Sequence, residues 1–473
     1  MTTYLTPGVY VEEIPKFPPS VAPVATAIPA FIGYTEKDDL KLKATRIESL
    51  VEFEQLFGGP QPETEITVSI NETAAAGGRP ATSVVTANLD PSKRSKHVLY
   101  YALQLFYANG GNTAFVVSAG AYKAITAGPT LADLQPGLEP VRTADEPTLI
   151  VIPEATSLGI GDFKTLIDAA LQQCKALGDR FVIVDAHGKD KPLGDSSTKL
   201  KDAIANFRNE GVGTNNLNYG AAYAPYLETV LDYQYDETKI VVTHKIDGAA
   251  GALDNKKLSE AKTLNSQLYE RAKAAITDYP LVLPPSGAMA GIYAQVDATR
   301  GVWKAPANVS VNAVTKPTID FSNTEQDDMN VDPTAGKSVN AIRAFVGKGT
   351  LVWGARTLAG NDNEWRYVNV RRFFIFAEES IKKATEQFTF EPNDANTWVK
   401  VQAMIENFLT VQWRAGALQG IKPEHAFYVA VGLGTTMTSL DILEGRMIVE
   451  IGLAVVRPAE FIILRFSHKM AES

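Results

Sequence analysis

The sharpest chemical candidate in the chain is Asp185-Ala186-His187, which closes the apolar run Phe181-Val182-Ile183-Val184. An acid and a histidine at the end of a buried strand stand where α/β enzymes place their acid–base groups. A serine from elsewhere would complete a hydrolase-type arrangement, but such a pair more often serves to cap a loop. Ala335-Gly336-Lys337-Ser338 matches the end of a phosphate-binding loop. The opening glycine of that loop would fall at position 331, which is Val331, and Asp332-Pro333 is no strand. Pro285-Ser286-Gly287-Ala288-Met289-Ala290-Gly291 sits between a strand and a helix, yet has neither G-x-G-x-x-G nor G-x-S-x-G spacing. Its glycines are expected to let helix and strand pack closely. The five histidines (97, 187, 244, 425 and 468) show no paired spacing, and there is one cysteine, Cys174, so no metal site or intramolecular disulfide is expected. No catalytic, cofactor-binding or metal residue is therefore assigned.

The elements around these residues alternate. Strands are expected over residues 30–34, 113–118, 148–152, 180–185, 220–225 and 280–283. Between them lie helical patterns over 47–57, 93–109, 198–208 and 259–278. A further helix, capped by Asp162, carries Phe163, Leu166, Ile167, Ala170, Leu171 and Cys174 at three–four spacing. Cys174 is thus core filler. Strands alternating with helices predict an α/β, doubly wound domain with a mainly parallel sheet. Residues 60–92 are poor in large apolar side chains and read as an exposed insertion, with strands possible at 66–70 and 83–87.

The last third differs, holding all five tryptophans (303, 353, 365, 398 and 413). Residues 308–336 read as loop and 344–358 as strands around Gly347 and Gly349. Residues 370–387 form a helix, and a second, capped by Asn396 or Thr397, runs to about 415. On the first, Glu378-Glu379 and Lys382-Lys383 form i,i+4 pairs, a solvated ladder unless that face meets a partner.

A net charge of −9 gives no broad basic footprint for nucleic acid. The first residues lack a basic segment followed by an apolar run, and no stretch approaches a membrane span, so a soluble chain made in the cytoplasm is expected.

Both ends are unusual. Gly8-Val9-Tyr10-Val11 is a short strand followed by Pro15, Pro18, Pro19, Pro23 and Pro29, which make a stiff, extended arm. At the other end, residues 447–456 (with Met447, Ile448, Val449, Ile451, Leu453 and Val455) and 461–466 (Phe461, Ile462, Ile463, Leu464, Arg465 and Phe466) read as strands separated by Arg457-Pro458-Ala459-Glu460. The second is apolar on both faces, so it needs cover on both and partners for its backbone.

Four stretches together resemble one family. They are Tyr4-Leu5-Thr6-Pro7-Gly8-Val9-Tyr10-Val11-Glu12-Glu13; Phe106-Tyr107-Ala108-Asn109-Gly110-Gly111-Asn112; Pro284-Pro285-Ser286-Gly287 continuing to Gly301-Val302-Trp303-Lys304-Ala305-Pro306-Ala307-Asn308; and Leu351-Val352-Trp353-Gly354-Ala355-Arg356-Thr357 followed by Tyr367-Val368-Asn369-Val370-Arg371-Arg372. The chain resembles contractile tail sheath proteins of phages and of phage-tail-like extracellular injection systems, over nearly its whole length.

The resemblance implies a structural subunit, not an enzyme, stacking in hexameric rings around an inner tube and contracting from a metastable extended state. It implies a linking arm over residues 1–29, an outer α/β domain over 30–285, an α+β inner, tube-facing domain over 286–456 and a second arm over 457–473. Implied partners are further copies of the chain, an inner tube protein, baseplate and terminator or cap proteins, with sister sheath proteins a further class, and no nucleic acid and no membrane insertion. Assembly in the bacterial cytoplasm, as part of a phage tail or a released particle, follows. Gly8–Val11 and 461–466 are then exchanged strands completing a neighbour's 447–456 sheet, and Arg371, Arg372, Lys382 and Lys383 are candidates for tube contact. An α/β hydrolase, or another tail or baseplate protein sharing the fold, is the competing expectation.

Overall fold

The computed structural model describes residues 20–74, 82–90, 93–125 and 127–465, so the expected strand at Gly8–Val11 lies outside the described residues, as does Phe466. The chain divides into two compact units. The sheet unit comprises Ala25–Phe376 and the described residues from Arg457, and the ribbon unit comprises the described residues up to Val24 together with Ala377–Val456. The division therefore falls within the helix Val368–Thr385, and not at residue 286. The reason is that the strands Val339–Phe345 and Gly349–Val352 join the same sheet as the first half of the chain.

That sheet has nine strands. Its middle runs Ala114–Ala121, Pro29–Thr35, Leu149–Val151, Phe181–Asp185, Gly220–Ala224 and Val339–Phe345, each parallel to the next. Thr45–Ile47 adds antiparallel at one edge; Gly349–Val352 and Val309–Ser310 add antiparallel at the other. The inner strands are buried along their length, which is why they read as unbroken apolar runs. The α/β expectation holds at this coarse level.

Residues 60–92 are more than an exposed loop. Ile66–Thr73 and Thr82–Leu89 form an antiparallel hairpin, and the first strand pairs in parallel with Val241–Ile246 in a second sheet. Ile66, Val68, Ile70 and Leu89 enter the core. Every second residue suffices to bury one face of a strand, so a segment with few large apolar residues can still contribute a core layer.

Several helix ends differ from expectation for identifiable reasons. The helix Ile160–Leu177 starts at Gly159, with Asp162 in its first turn and not at its cap. The expected helix over 259–278 is two, Leu258–Leu264 and Ser266–Thr277, because the Asn265 side chain accepts from Leu268 N (3.1 Å) and starts a new helix. Asp394, and not Asn396 or Thr397, caps Ala395–Arg414 by accepting from Thr397 N (3.0 Å). Within 308–336 a capping box at Ser322 and Glu325 nucleates the helix Asn323–Asn330.

The helix Ser286–Arg300 organises the sheet unit. It lies against the helix Leu99–Ala108 so closely that a Cβ on Gly287 would stand 2.4 Å from the Ala102 carbonyl oxygen, and one on Gly291 2.4 Å from that of Phe106. The glycines thus permit helix–helix contact, where helix–strand contact was expected. Its N-terminus is held by Asp185, which accepts from Ser286 N (2.7 Å) and from Ser286 Oγ (2.5 Å). Burial pushes the Asp185 carboxyl up to about 7, against the lowering influence of those two bonds.

Two outcomes are expected. Gly287→Ala and Gly291→Ala should each cost about 1–3 kcal/mol by overpacking, read as a lower denaturation midpoint, while Gly161→Ala, with nothing within 4 Å of the added carbon, should be neutral or slightly stabilising. A raised carboxyl means the folded chain keeps a proton that the unfolded chain has released, so Asp185 makes stability fall as pH rises from about 4 to about 7. Asp185→Asn should remove that share, on the order of 2–4 kcal/mol, from a stability–pH profile; an unchanged slope would contradict it.

Candidate assembly interface

The strand-end groups are occupied structurally. His187 donates from Nε2 to the Leu158 carbonyl (2.8 Å) and accepts at Nδ1 from Lys189 N (2.9 Å). Those bonds use both nitrogens of a neutral imidazole, and burial pushes its pKa down. Asp185 meanwhile caps a helix, so the two do not form a pair. At a neighbouring strand end Glu154, fully buried, accepts from Tyr34 N (2.9 Å). Lys337, the lysine of the loop-like motif, is buried and donates to the carbonyls of Arg208 and Val212 (2.5 and 2.9 Å). Ser338 Oγ donates to the Asn330 carbonyl (2.6 Å). Cys174 is buried, and burial pushes its thiol well above the usual range. Among the described residues there is no group of acidic, histidine and cysteine side chains that could hold a metal.

Of the four cations considered for tube contact, two are interior. Arg372 pairs with Asp297 through two bonds of 3.0 and 2.5 Å, donates to the Thr26 carbonyl (2.7 Å) and lies 4.6 Å from the Tyr293 ring. Arg371 is buried between Tyr219 and Trp365, 4.6 and 4.5 Å from their ring centres. Neither can present charge to a partner. The sequence shows a helix face but not that its first turn lies in the core. Lys382 and Lys383 are accessible, both beside Glu379 at 3.2 and 3.6 Å.

The ribbon unit carries a two-stranded antiparallel sheet. Phe427–Val431 pairs with Val449–Leu453, so Val449, Ile451 and Leu453 stand in a strand, Met447 and Ile448 precede it and Val455 makes an isolated bridge to Leu418. The partner strand Phe427–Val431 was missed by sequence reading; its run Phe-Tyr-Val-Ala-Val after Pro423 is the signal that could have found it. Tyr428 lies across Gly452, where a Cβ would meet its ring at 2.1 Å, and donates to Glu450 (2.6 Å). The helix Ala395–Arg414 supports the ribbon, with Gln402 Nε2 donating to the Val429 carbonyl (3.3 Å). The ribbon has no third strand among the described residues, whereas two strands alone are marginal in water.

The C-terminal segment rejoins the sheet unit. Glu460 accepts from Arg356, Asn330 and Tyr367. Burial alone would push its carboxyl up, but those donors, Arg356 foremost, hold it below the ordinary range. Beyond it, residues 461–465 form no strand, and Phe461, Ile462, Ile463 and Leu464 are 69–78% exposed. The strand expected over residues 461–466 is thus not formed in residues 461–465 of the single chain.

The stretches that carried the resemblance and lie within the described residues are framework. Asn109 Oδ1 accepts from Asn312 N (2.7 Å) while its amide donates to Leu105 and Asn312 carbonyls. Gly301, at φ +91°, lets Trp303 lie within 2.4 Å of where a Cβ would be, and Asn369 donates to the Trp303 carbonyl (2.8 Å).

Comparison with known proteins identifies the family of the chain. The phage tail sheath central domain matches residues 194–358, and the phage tail sheath C-terminal domain matches residues 360–469. The tail sheath protein of Vibrio phage KVP40 is 24% identical over 161 residues, 33% of this chain and 23% of that protein. That of Burkholderia phage BcepMu is 28% identical over 144 residues, 29% of this chain and 30% of that protein. The chain thus spans under a third of the length of either phage relative. Two sheaths solved by cryo-electron microscopy in the contracted state match from end to end. The PVC sheath of an extracellular contractile injection system is 29% identical, with TM-score 0.65 and 99% of both chains covered. The helical sheath of the anti-feeding prophage is 31% identical, with TM-score 0.61, covering 99% of this chain and 100% of that one. The chain therefore belongs to the contractile tail sheath family and is a structural sheath subunit of a phage tail or tail-like particle.

Proposed function

We propose that this subunit stacks in hexameric rings around an inner tube and shortens from an extended, metastable state to drive the tube through a target envelope. The observation that carries this reading is the coexistence of an exposed apolar segment, Phe461–Leu464, with a two-stranded ribbon open to further strands. Each lacks what the other supplies. In an assembly, the arm of one copy adds to the ribbon Phe427–Val431/Val449–Leu453 of another, and Gly8–Val11 of a further copy adds as well. Main-chain hydrogen bonds give such pairings affinity, and alternating side chains give them register. A head-to-tail contact that does not close on itself builds a helix. Because the strands stay paired while the bodies rotate, contraction requires no unfolding; its free energy comes from contacts that differ between the two states.

On this reading the sheet unit is a doubly wound outer domain, and Ala377–Val456 of the ribbon unit supplies an inner α+β domain facing the tube. The accompanying partners are the tube protein, baseplate and terminator proteins, with sister sheath proteins a further class. Assembly takes place in the bacterial cytoplasm, and the subunit performs no catalysis.

Deleting residues 1–15, or residues 461–473, should leave a folded monomer that forms no tubes under the electron microscope, where the full chain forms hollow striated ones. Tubes of normal length from either truncation would overturn strand exchange, and uniform small particles from the full chain at high concentration would overturn the assembly itself. Charge reversal at Lys382 and Lys383 should block co-assembly on inner tubes while leaving tube-free polymers intact; undisturbed co-assembly would remove these two lysines from the tube face.

A further inference from the structure

The exposed arm has a built root. Glu460 is the last residue of the chain's described end with a shielded side chain, 20% exposed, and all residues from Phe461 to Arg465 are exposed. Its carboxylate receives Arg356 Nε at 2.9 and 3.2 Å, Arg356 Nη2 at 2.7 Å, Asn330 Nδ2 at 2.7 Å and Tyr367 OH at 3.0 Å. A two-pronged guanidinium contact sets direction as well as position, which a lysine cannot do.

Arg356 is itself immobilised from the main sheet. Its N–H donates to Asn340 Oδ1 (2.7 Å) and its carbonyl accepts from Asn340 Nδ2 (2.8 Å), with Asn340 buried in the strand Val339–Phe345. Gly354 must lack a side chain, since a Cβ there would stand 2.8 Å from Asn340 Oδ1. The line from sheet to arm therefore runs Asn340, Arg356, Glu460. Both halves of the stretch Leu351–Thr357 and Tyr367–Arg372 converge on it, the first through Arg356 and the second through Tyr367. Arg457 adds a bond from Nη1 to the Asn363 carbonyl (2.8 Å) just upstream.

We propose that Glu460 is the positioning residue of the C-terminal arm: its link to Arg356 sets where the arm leaves the sheet unit and in which direction, and the exchangeable segment begins at Phe461. The inference rests on the strand-exchange reading above. An arm released from this root still has its apolar sequence, but it samples many directions, and the probability of meeting a neighbour's ribbon in register falls accordingly.

The test uses the full-length chain and two readouts. A glutamate-specific protease cuts after Glu460 only when that side chain is free to enter the protease. Arg356→Lys and Tyr367→Phe should raise the cleavage rate at Glu460, about tenfold for the arginine variant, with the thermal midpoint of the monomer within a few degrees of the parent. Glu460→Gln should keep the monomer folded and reduce tube formation at least about tenfold at equal concentration. The double variant Glu460→Gln/Arg356→Lys should lose no more than the worse single variant, since both break one link. Tube formation by Glu460→Gln equal to the parent, or an unchanged cleavage rate in Arg356→Lys, would overturn the proposal. If the chain lacking 461–473 forms normal tubes, strand exchange has failed, while the cleavage readout still reports separately whether Glu460 is rooted.

Discussion

A guanidinium withdrawn from water must be paired, and the pairing of Arg372 holds together parts of the sheet unit that are far apart in sequence. Its Asp297 partner is on the helix Ser286–Arg300, its carbonyl partner Thr26 precedes the first strand, and its stacking partner Tyr293 hydrogen-bonds Tyr223 in the main sheet (2.7 Å). Removing one member of such a buried pair leaves the other charged and dry, a loss on the order of 3–5 kcal/mol. The start of the helix Val368–Thr385 is thereby tied to the sheet, and Arg371, clasped between two aromatic rings beside it, strengthens the same junction. What looked in the sequence like a basic helix face for a partner is the keystone of the interior.

The parallel sheet has the layout on which many enzymes are built, yet the positions at its strand ends are filled by the protein's own groups. Asp185 holds a helix N-terminus, Glu154 takes a backbone N–H, His187 bridges two loops and Lys337 closes off two carbonyls. These four side chains thus have hydrogen-bond partners within the chain. Composition and spacing could list these residues; only the three-dimensional partners reveal that they are spoken for.

The legible parts of the fold were those where burial on both faces leaves an unbroken apolar run, as in Phe181–Asp185, or where a three–four stripe is long, as in Ile160–Leu177. Helix boundaries were less legible, because a single side-chain bond at Asn265 or Asp394 decides them. The hairpin at Ile66–Thr73 and Thr82–Leu89 was half seen: its strands were legible, but not its pairing with a strand some 170 residues on, which no local pattern encodes. In the candidate interface, the apolar arm was evident from its residues alone. The ribbon's second strand and the Glu460 root were not, since a lone carboxylate between Ala459 and Phe461 carries no sign of the arginine that awaits it.

The cross-strand contact of Tyr428 over Gly452 bears on how free subunits behave before they meet. A glycine inside a strand weakens it, and the Tyr428 ring lying over Gly452 supplies the packing that the missing side chain does not. An open strand edge is also a hazard, because it is a template on which further strands can add. The chain's net charge of −9 opposes this at long range, as like-charged bodies repel until something holds them in line. If copies pair through that edge, added salt makes the pairing stronger by screening their like charge.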